Sequence, residues 1–245
     1  MAGHSKWSNI KHRKGAQDAL RSKIFAKFSK EIMVAAALGG SDINSNPSLR
    51  LAINKAKAKS MPKANIEKAI EKGSGSGALG ADYKEIIYSG NLKYGITLLV
   101  ICLSNNYNRV SSEVQFLFKK ANGAIGKAGS IPYNFERKGI LEIELEAFNE
   151  EEVMMMAIEA GAIDVITEGT SIIIYTEPSM LNNVKDKLEK SGINEFQTAE
   201  VTYVSSDKIK IPKEDIEQFV STLERFEDNE DIQEVFHNVD LSELE

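Results

Sequence analysis

The sequence predicts an α+β protein: an N-terminal helical bundle followed by two α+β domains, the second a ferredoxin-like βαββαβ insertion. Three observations carry this. Apolar residues recur at three- and four-residue spacing in successive segments up to Ile70. A glycine- and serine-rich stretch, Gly73-Ser74-Gly75-Ser76-Gly77, then interrupts the pattern. Beyond it, short β-branched runs alternate with helical periods, and between residues 137 and 205 they follow the order βαββαβ.

The first segment, Met1 to Lys30, holds eight Lys and Arg against one acid, Asp18, with His4, Trp7 and His12 interleaved. Up to Gly15 it has no helical or strand period, which predicts a basic arm that becomes ordered on a polyanion. From Asp18 to Leu38 the stripe Leu20, Ile24, Phe28, Ile32, Ala35 and Leu38 predicts an amphipathic helix, with Lys23, Lys27 and Lys30 along the opposite side. Asn46-Pro47 supplies an N-cap and a proline at the first helical position, which starts a second helix running to about Ser60. Met61-Pro62 opens a third, with Ile66, Ala69 and Ile70 inward. Lys55, Lys57, Lys59 and Lys63 crowd the junction of the last two. The Gly-Ser stretch is read as a flexible linker that lets the bundle reorient.

Tyr83 to Ser89 and Ile96 to Ser104 read as strands, the second so apolar that it belongs in the middle of a sheet. A helix follows from Asn108 to Ala121. The glycine loop Gly123 to Ser130 then leads to a strand at Ile131 to Phe135. Its helix-to-strand order and Gly-Lys-Ala ending exclude a P-loop, but its amides and Lys127 remain candidates for a phosphate contact. The βαββαβ unit spans strand Ile140–Glu146, helix Glu150–Gly161, strands Ile163–Glu168 and Ser171–Thr176, helix Pro178–Ser191 and strand Phe196–Val204. Tyr175 and Tyr203 are its only strand tyrosines, which makes base stacking on this sheet a minor alternative. The tail, strand Lys208–Ile211, helix Lys213–Phe226 and an extended Ile232–His237, is too small for its own core and is expected back on the first sheet. The expected domains are therefore 1–77, 78–136 with 206–245, and an inserted 137–205.

The net charge of −6 hides an asymmetry: residues 1–72 carry 15 Lys and Arg against 5 Asp and Glu, a balance of +10, so the remainder carries −6 − 10 = −16. One end suits phosphates, and the acidic domains are expected to meet a basic protein. No apolar run reaches the eighteen residues of a membrane span. A single cysteine, Cys102, excludes a disulfide framework and fits a reducing compartment, so a cytoplasmic location is expected.

Catalytic and metal constellations are wanting. Cys102 lies inside an apolar strand, His237 has no second ligand nearby in sequence, and the eight-residue separation of His4 and His12 is not zinc spacing. Met154-Met155-Met156 points in too many directions on a helix to form one metal face, and Glu150-Glu151-Glu152 suits a helix start. No enzyme activity, cofactor or small-molecule substrate is expected.

The segments MAGHSKWSNIKHRKGAQDALRSKIF, AAALGG, NPSLRLAINKAKAKSMPKANIEKAI, CLSNNYNRVSSEV and GAIGKAGSIPYNF, in order along nearly the whole chain, resemble the YebC/PmpR family of probable transcriptional regulatory proteins. That family also includes a mitochondrial translational activator of cytochrome c oxidase subunit I. Where it usually shows a Gly- and Pro-rich turn, this chain reads Ser89-Gly90-Asn91-Leu92-Lys93-Tyr94-Gly95. The resemblance implies a three-domain arrangement and a role in gene expression. The expected function is DNA-binding transcriptional regulation, with a ribosome-associated RNA-binding translation factor as the alternative. The nucleic-acid-binding candidates are Lys6, Trp7, Lys11, His12, Arg13, Lys14, Arg21, Lys23, Lys27, Asn105, Asn108, Arg109 and Lys127.

Overall fold

The computed structural model describes residues 17–75, 80–145 and 148–241. Among these are seven α-helices and two four-stranded sheets whose paired strands are all antiparallel. The chain divides into two compact units, Phe135–Ser206 and the segments on either side of it.

In the flanking unit, α1 (Gln17–Gly39), α2 (Pro47–Ala58) and α3 (Lys63–Ser74) form the bundle. Its core is Ile32, Ala36, Leu49, Ala52, Ile53, Ala56, Ile66 and Ala69, with Phe25 and Phe28 packed on it. Asn46 explains the α1–α2 corner. Its Oδ1 accepts from the Leu49 amide at 3.0 Å, while its Nδ2 donates to the Ala35 and Gly40 carbonyls, both at 2.8 Å. One buried side chain thus caps both helix ends. Two expectations are corrected. Leu38 is 67% exposed, because the inward stripe ends at Ala36 before the last turn of α1. Gly73 and Ser74 are not linker but the last turn of α3, where a Cβ on Gly73 would stand 2.2 Å from the Met33 carbonyl oxygen. Glycine there permits direct backbone contact between α3 and α1.

The same unit contains β1 (Lys84–Asn91), β2 (Thr97–Ser104), β3 (Ala124–Ile125) and β8 (Ile232–His237), in the order β3-β1-β2-β8. The tail strand does return to the sheet, on β2, with Val100 opposite Val235. Helices α4 (Tyr107–Lys120) and α7 (Lys213–Glu227) cover one face. Their core joins Tyr88, Leu98, Val100 and Cys102 to Val110, Val114, Phe118, Phe219, Leu223 and Phe226. The Phe118 and Phe226 rings meet edge to face at 5.1 Å, a geometry worth about 0.5–1.5 kcal/mol beyond burial. The expected strand at Lys208–Ile211 reduces to one parallel bridge, Ile209 to Val239. Residues 131–134 are not a strand either: Tyr133 is 94% exposed, and pairing begins at Phe135.

The second unit runs β4 (Phe135–Glu144), α5 (Glu150–Ala160), β5 (Asp164–Glu168), β6 (Ser171–Thr176), α6 (Leu181–Lys190) and β7 (Thr198–Ser205). The sheet order β5-β6-β4-β7 is the ferredoxin-like order. Both helices contribute to one core with Leu141, Ile143, Ile172 and Ile174. Arg137, Lys138 and Gly139 are not a break but lie inside β4, paired with Tyr203, Thr202 and Val201. The opposite face buries Ile140, Ile173 and Tyr175. Burial pushes the Tyr175 hydroxyl up to about 12, and a ring so enclosed offers no face for a base. That removes Tyr175 from the stacking alternative, while Tyr203 on β7 stays half-buried.

Candidate nucleic-acid interface

The cations of the N-terminal region fall into two sets. Lys23, Lys27 and Lys30 recur along α1 at i, i+4 and i+7, so they share one face. That face meets the end of α7 and the residues after it. The Lys23 Nζ lies 2.7 Å from Asp228 Oδ1. Lys27 Nζ donates to the Glu227 carbonyl at 2.8 Å. Lys30 Nζ donates to the Glu230 carbonyl at 2.7 Å and reaches Asp231 Oδ1 at 3.2 Å. The C-terminal end of a helix carries partial negative charge on its unpaired carbonyls, so ammonium groups are favourable there and offset the Asp228 carboxylate, which alone would oppose the dipole. Lys55 is also turned inward, 3.0 Å from Glu234 Oε1 and 3.8 Å from Glu31 Oε1. The lysine row of α1 is therefore a docking contact in this structure rather than an open cationic strip.

Asp231 is the centre of that contact. Its buried carboxylate accepts from Arg109 Nε at 2.9 Å and Nη2 at 2.6 Å, both through Oδ2, and its carbonyl holds the Leu103 amide at 2.8 Å. The hydrogen bond to Asp231 raises the Arg109 pKa still further. Arg109 is placed by Asn106, which caps α4 by accepting from the Arg109 amide at 3.0 Å. The structure thus gathers Lys23, Lys27, Lys30 and Arg109 on one acidic segment, with Asn105 and Asn108 exposed beside the start of α4. Asp231 escaped the sequence reading. The available signal was the acidic run Glu227-Asp228-Asn229-Glu230-Asp231 directly after an amphipathic helix.

Lys127 is exposed on the other edge of the sheet. The amides of Gly126 and Gly129 donate to the Ser89 and Ile87 carbonyls at 2.7 and 2.8 Å. The glycine loop extends the sheet edge, so those two amides are not free to cradle a phosphate. Lys6, Trp7, Lys11, His12, Arg13 and Lys14 lie outside the described residues.

The second set of cations points to solvent. Arg50 and Lys57 lie seven residues apart on α2, Lys68 and Lys72 four apart on α3, and Lys59 and Lys63 flank the turn between them. That turn is sharpened by Ser60 at φ 59°. Lys63 has Glu67 at 3.5 Å, a largely exposed pair of the kind worth about 0–1 kcal/mol. Arg50, Lys57, Lys59, Lys68 and Lys72 are exposed, and none forms an ion pair within the described structure. Arg21 is exposed as well, with its guanidinium 5.8 Å over the Phe25 ring. Such a set of exposed cations has the charge to suit phosphate contacts, which by themselves carry no base sequence.

Among the described residues, the one thiol is that of the buried Cys102. Burial pushes the Cys102 thiol up to about 12, which leaves no thiolate nucleophile near neutral pH. Among the described residues, no cluster of His, Cys, Asp and Glu is arranged to hold a metal ion. No described helix is long and apolar enough to cross a membrane.

Fold and surface together define a class: a basic helical bundle docked on an α+β sheet that carries a ferredoxin-like insertion. Within that class, the TACO1/YebC protein N-terminal domain matches residues 5–76 and the TACO1/YebC second and third domain matches residues 83–239, so the chain belongs to the TACO1/YebC family. It is 52% identical over 239 residues to a probable transcriptional regulatory protein of Mesomycoplasma hyopneumoniae, covering 98% of this chain and 99% of that one. A protein of the same description from Geobacillus kaustophilus is 46% identical over 247 residues, covering all of both chains. The crystal structure of a conserved hypothetical protein from Aquifex aeolicus superposes with a TM-score of 0.78 at 39% identity, covering 93% of each chain.

Proposed function

We propose that this protein is a non-enzymatic, nucleic-acid-binding regulator of gene expression that acts on DNA as a transcriptional regulator. The observation that carries the reading is the division of its cations. Lys23, Lys27, Lys30 and Lys55 hold the bundle in place, which leaves the exposed Arg50, Lys57, Lys59, Lys63, Lys68 and Lys72 available for phosphates. The arm residues Lys6, Lys11, Arg13 and Lys14, with Trp7 and His12, would add further contacts to the nucleic acid, and Arg21 and Lys127 add peripheral charge. Arg109 acts mainly through the docking contact, by fixing Asp231. The names carried by the relatives support regulation of transcription, and no described group is set up for catalysis.

A second reading has its own support. Tyr107 is 55% exposed between Asn105 and Asn108, and an exposed ring among amides suits unstacked bases of single-stranded RNA. This favours a ribosome-associated factor that promotes translation. Sedimenting cell extract through a ribosome gradient, with and without RNase or DNase, decides between them. Migration at the top of the gradient and recovery with DNA support the transcriptional reading. Co-sedimentation with ribosomal particles that RNase abolishes would replace it with the second.

A further inference from the structure

Helix α5 of the Phe135–Ser206 unit buries Val153, Ala157 and Ala160 at i, i+4 and i+7. Its other side is not the polar face that such a helix usually turns to water. Met155 is 64% exposed, Ile158 is 59% exposed, and Ile163, just past the helix end, is 52% exposed. Exposed carboxylates frame these side chains: Glu151 and Glu152 one turn before Met155, Glu159 one turn after it, and Asp164 beside Ile163. Acids in the first turn are accounted for by the helix dipole, but Glu159 stands in the last turn, where a carboxylate opposes it. No cation of α5 offsets them, since the helix has none. The nearby Lys187 is spent on the Ala160 carbonyl at 3.0 Å.

We propose that this face docks an amphipathic basic helix of a partner protein, in which a Leu or Ile stripe meets Met155, Ile158 and Ile163 and flanking Lys or Arg meet Glu151, Glu152, Glu159 and Asp164. Charge selects the partner. Residues 135–206 carry 5 Lys and Arg against 15 Asp and Glu, a balance of −10. That balance repels nucleic acid, and it also disfavours a second copy, whose two-fold contact would set the same acids against each other. Methionine suits the role because its unbranched, polarisable side chain adapts to differing apolar ridges. An apolar groove reading a helix at i, i+3, i+4 and i+7 is an established mode of recognition.

The test uses the full chain with 13C-labelled methionine methyl groups and a synthetic Leu/Lys amphipathic helix as probe. Controls are a scrambled peptide of the same composition and a Leu/Glu helix. The Leu/Lys helix should shift the Met155 methyl resonance, bind more tightly than either control, and lose at least about tenfold in affinity to M155Q/I158Q, as expected for truncated interface anchors. A second variant, E151K/E152K/E159K, should weaken binding comparably without touching the apolar side chains, so the proposal stays testable if the first variant misfolds. Equal binding of the scrambled or acidic peptide overturns it. So does unchanged affinity in either folded variant, or a dimer in sedimentation that I158Q disperses. Because no nucleic acid enters the assay, these outcomes are independent of the phosphate-binding reading.

Discussion

Replacing Asp231 by alanine removes the central contact between bundle and sheet and leaves those of Lys23, Lys27 and Lys55 in place. Its carboxylate, 5% exposed, accepts from Arg109 Nε at 2.9 Å, Arg109 Nη2 at 2.6 Å and Lys30 Nζ at 3.2 Å. Stranding one partner of a fully buried pair costs about 3–5 kcal/mol, but that limit is not reached here. The Arg109 side chain is 47% exposed and can rehydrate, and Lys30 retains the Glu230 carbonyl at 2.7 Å. Charge-assisted hydrogen bonds contribute about 1.5–3 kcal/mol each and are not additive around one acceptor, so a net loss of about 2–3 kcal/mol is expected. At about 2–4 °C per kcal/mol for a chain of this size, Tm should fall by about 4–12 °C. Circular dichroism melting of the wild type, Asp231→Ala and Asp231→Asn measures this, and Asp231→Asn should lie between the other two. A Tm for Asp231→Ala within about 1 °C of wild type, under half a kcal/mol, would refute the anchoring role.

Three further outcomes are expected. Replacing Lys11, Arg13 and Lys14 together with alanine should remove most nucleic-acid affinity while shifting stability by no more than about 0.5 kcal/mol, because they precede the first apolar-periodic residue of the sequence and so add little to a core; Trp7 fluorescence in the wild type should respond to added nucleic acid, and an unresponsive Trp7 counts against the arm. Gly73→Ala places a methyl group against the Met33 carbonyl and should cost about 1–3 kcal/mol by overpacking, read as a lower urea midpoint. Burial raises the Cys102 thiol from 9.0 to about 12 and the Tyr175 hydroxyl from 10.0 to about 12. The folded state then binds more protons than the unfolded chain, so stability is intact below pH 9 and falls as pH rises toward 12. Urea midpoints across that range should fall less steeply in Cys102→Ala, and an equal slope contradicts the buried thiol.

Much of this fold was legible because local signals agreed with the global answer. Asn46-Pro47 marked the start of α2, and the asparagine does accept from the Leu49 amide. The βαββαβ order was readable from periodicity alone, as was the apolar centre of β2. What failed was information carried by distant partners. The spacing of Lys23, Lys27 and Lys30 fixes a common face, but their acceptors lie about two hundred residues away. Composition made Gly73 look like linker, whereas its missing Cβ is what lets α3 touch α1. The run from Ile131 to Phe135 had strand-forming residues but no ladder partner before Phe135. The candidate surface accordingly moved from the lysines of α1 to the α2–α3 turn, whose cations were visible in the sequence but could not be sorted from the docked ones without their partners.

The central claim, that exposed cations of the bundle, together with those of the arm sequence, bind phosphates while the α1 lysines hold the structure, is tested most directly by salt titration of binding. Affinity of the full chain for labelled duplex DNA and for an RNA hairpin would be measured by fluorescence anisotropy across about 50 to 300 mM NaCl, where each neutralised DNA phosphate contributes about −0.9 to the log–log slope. Five to eight contacts give a wild-type slope of roughly −4 to −7, and Lys57→Ala with Lys59→Ala and Lys63→Ala should flatten it by roughly 2–3 with Tm unchanged. A flat wild-type dependence, or a slope that the triple variant leaves untouched, would contradict the account.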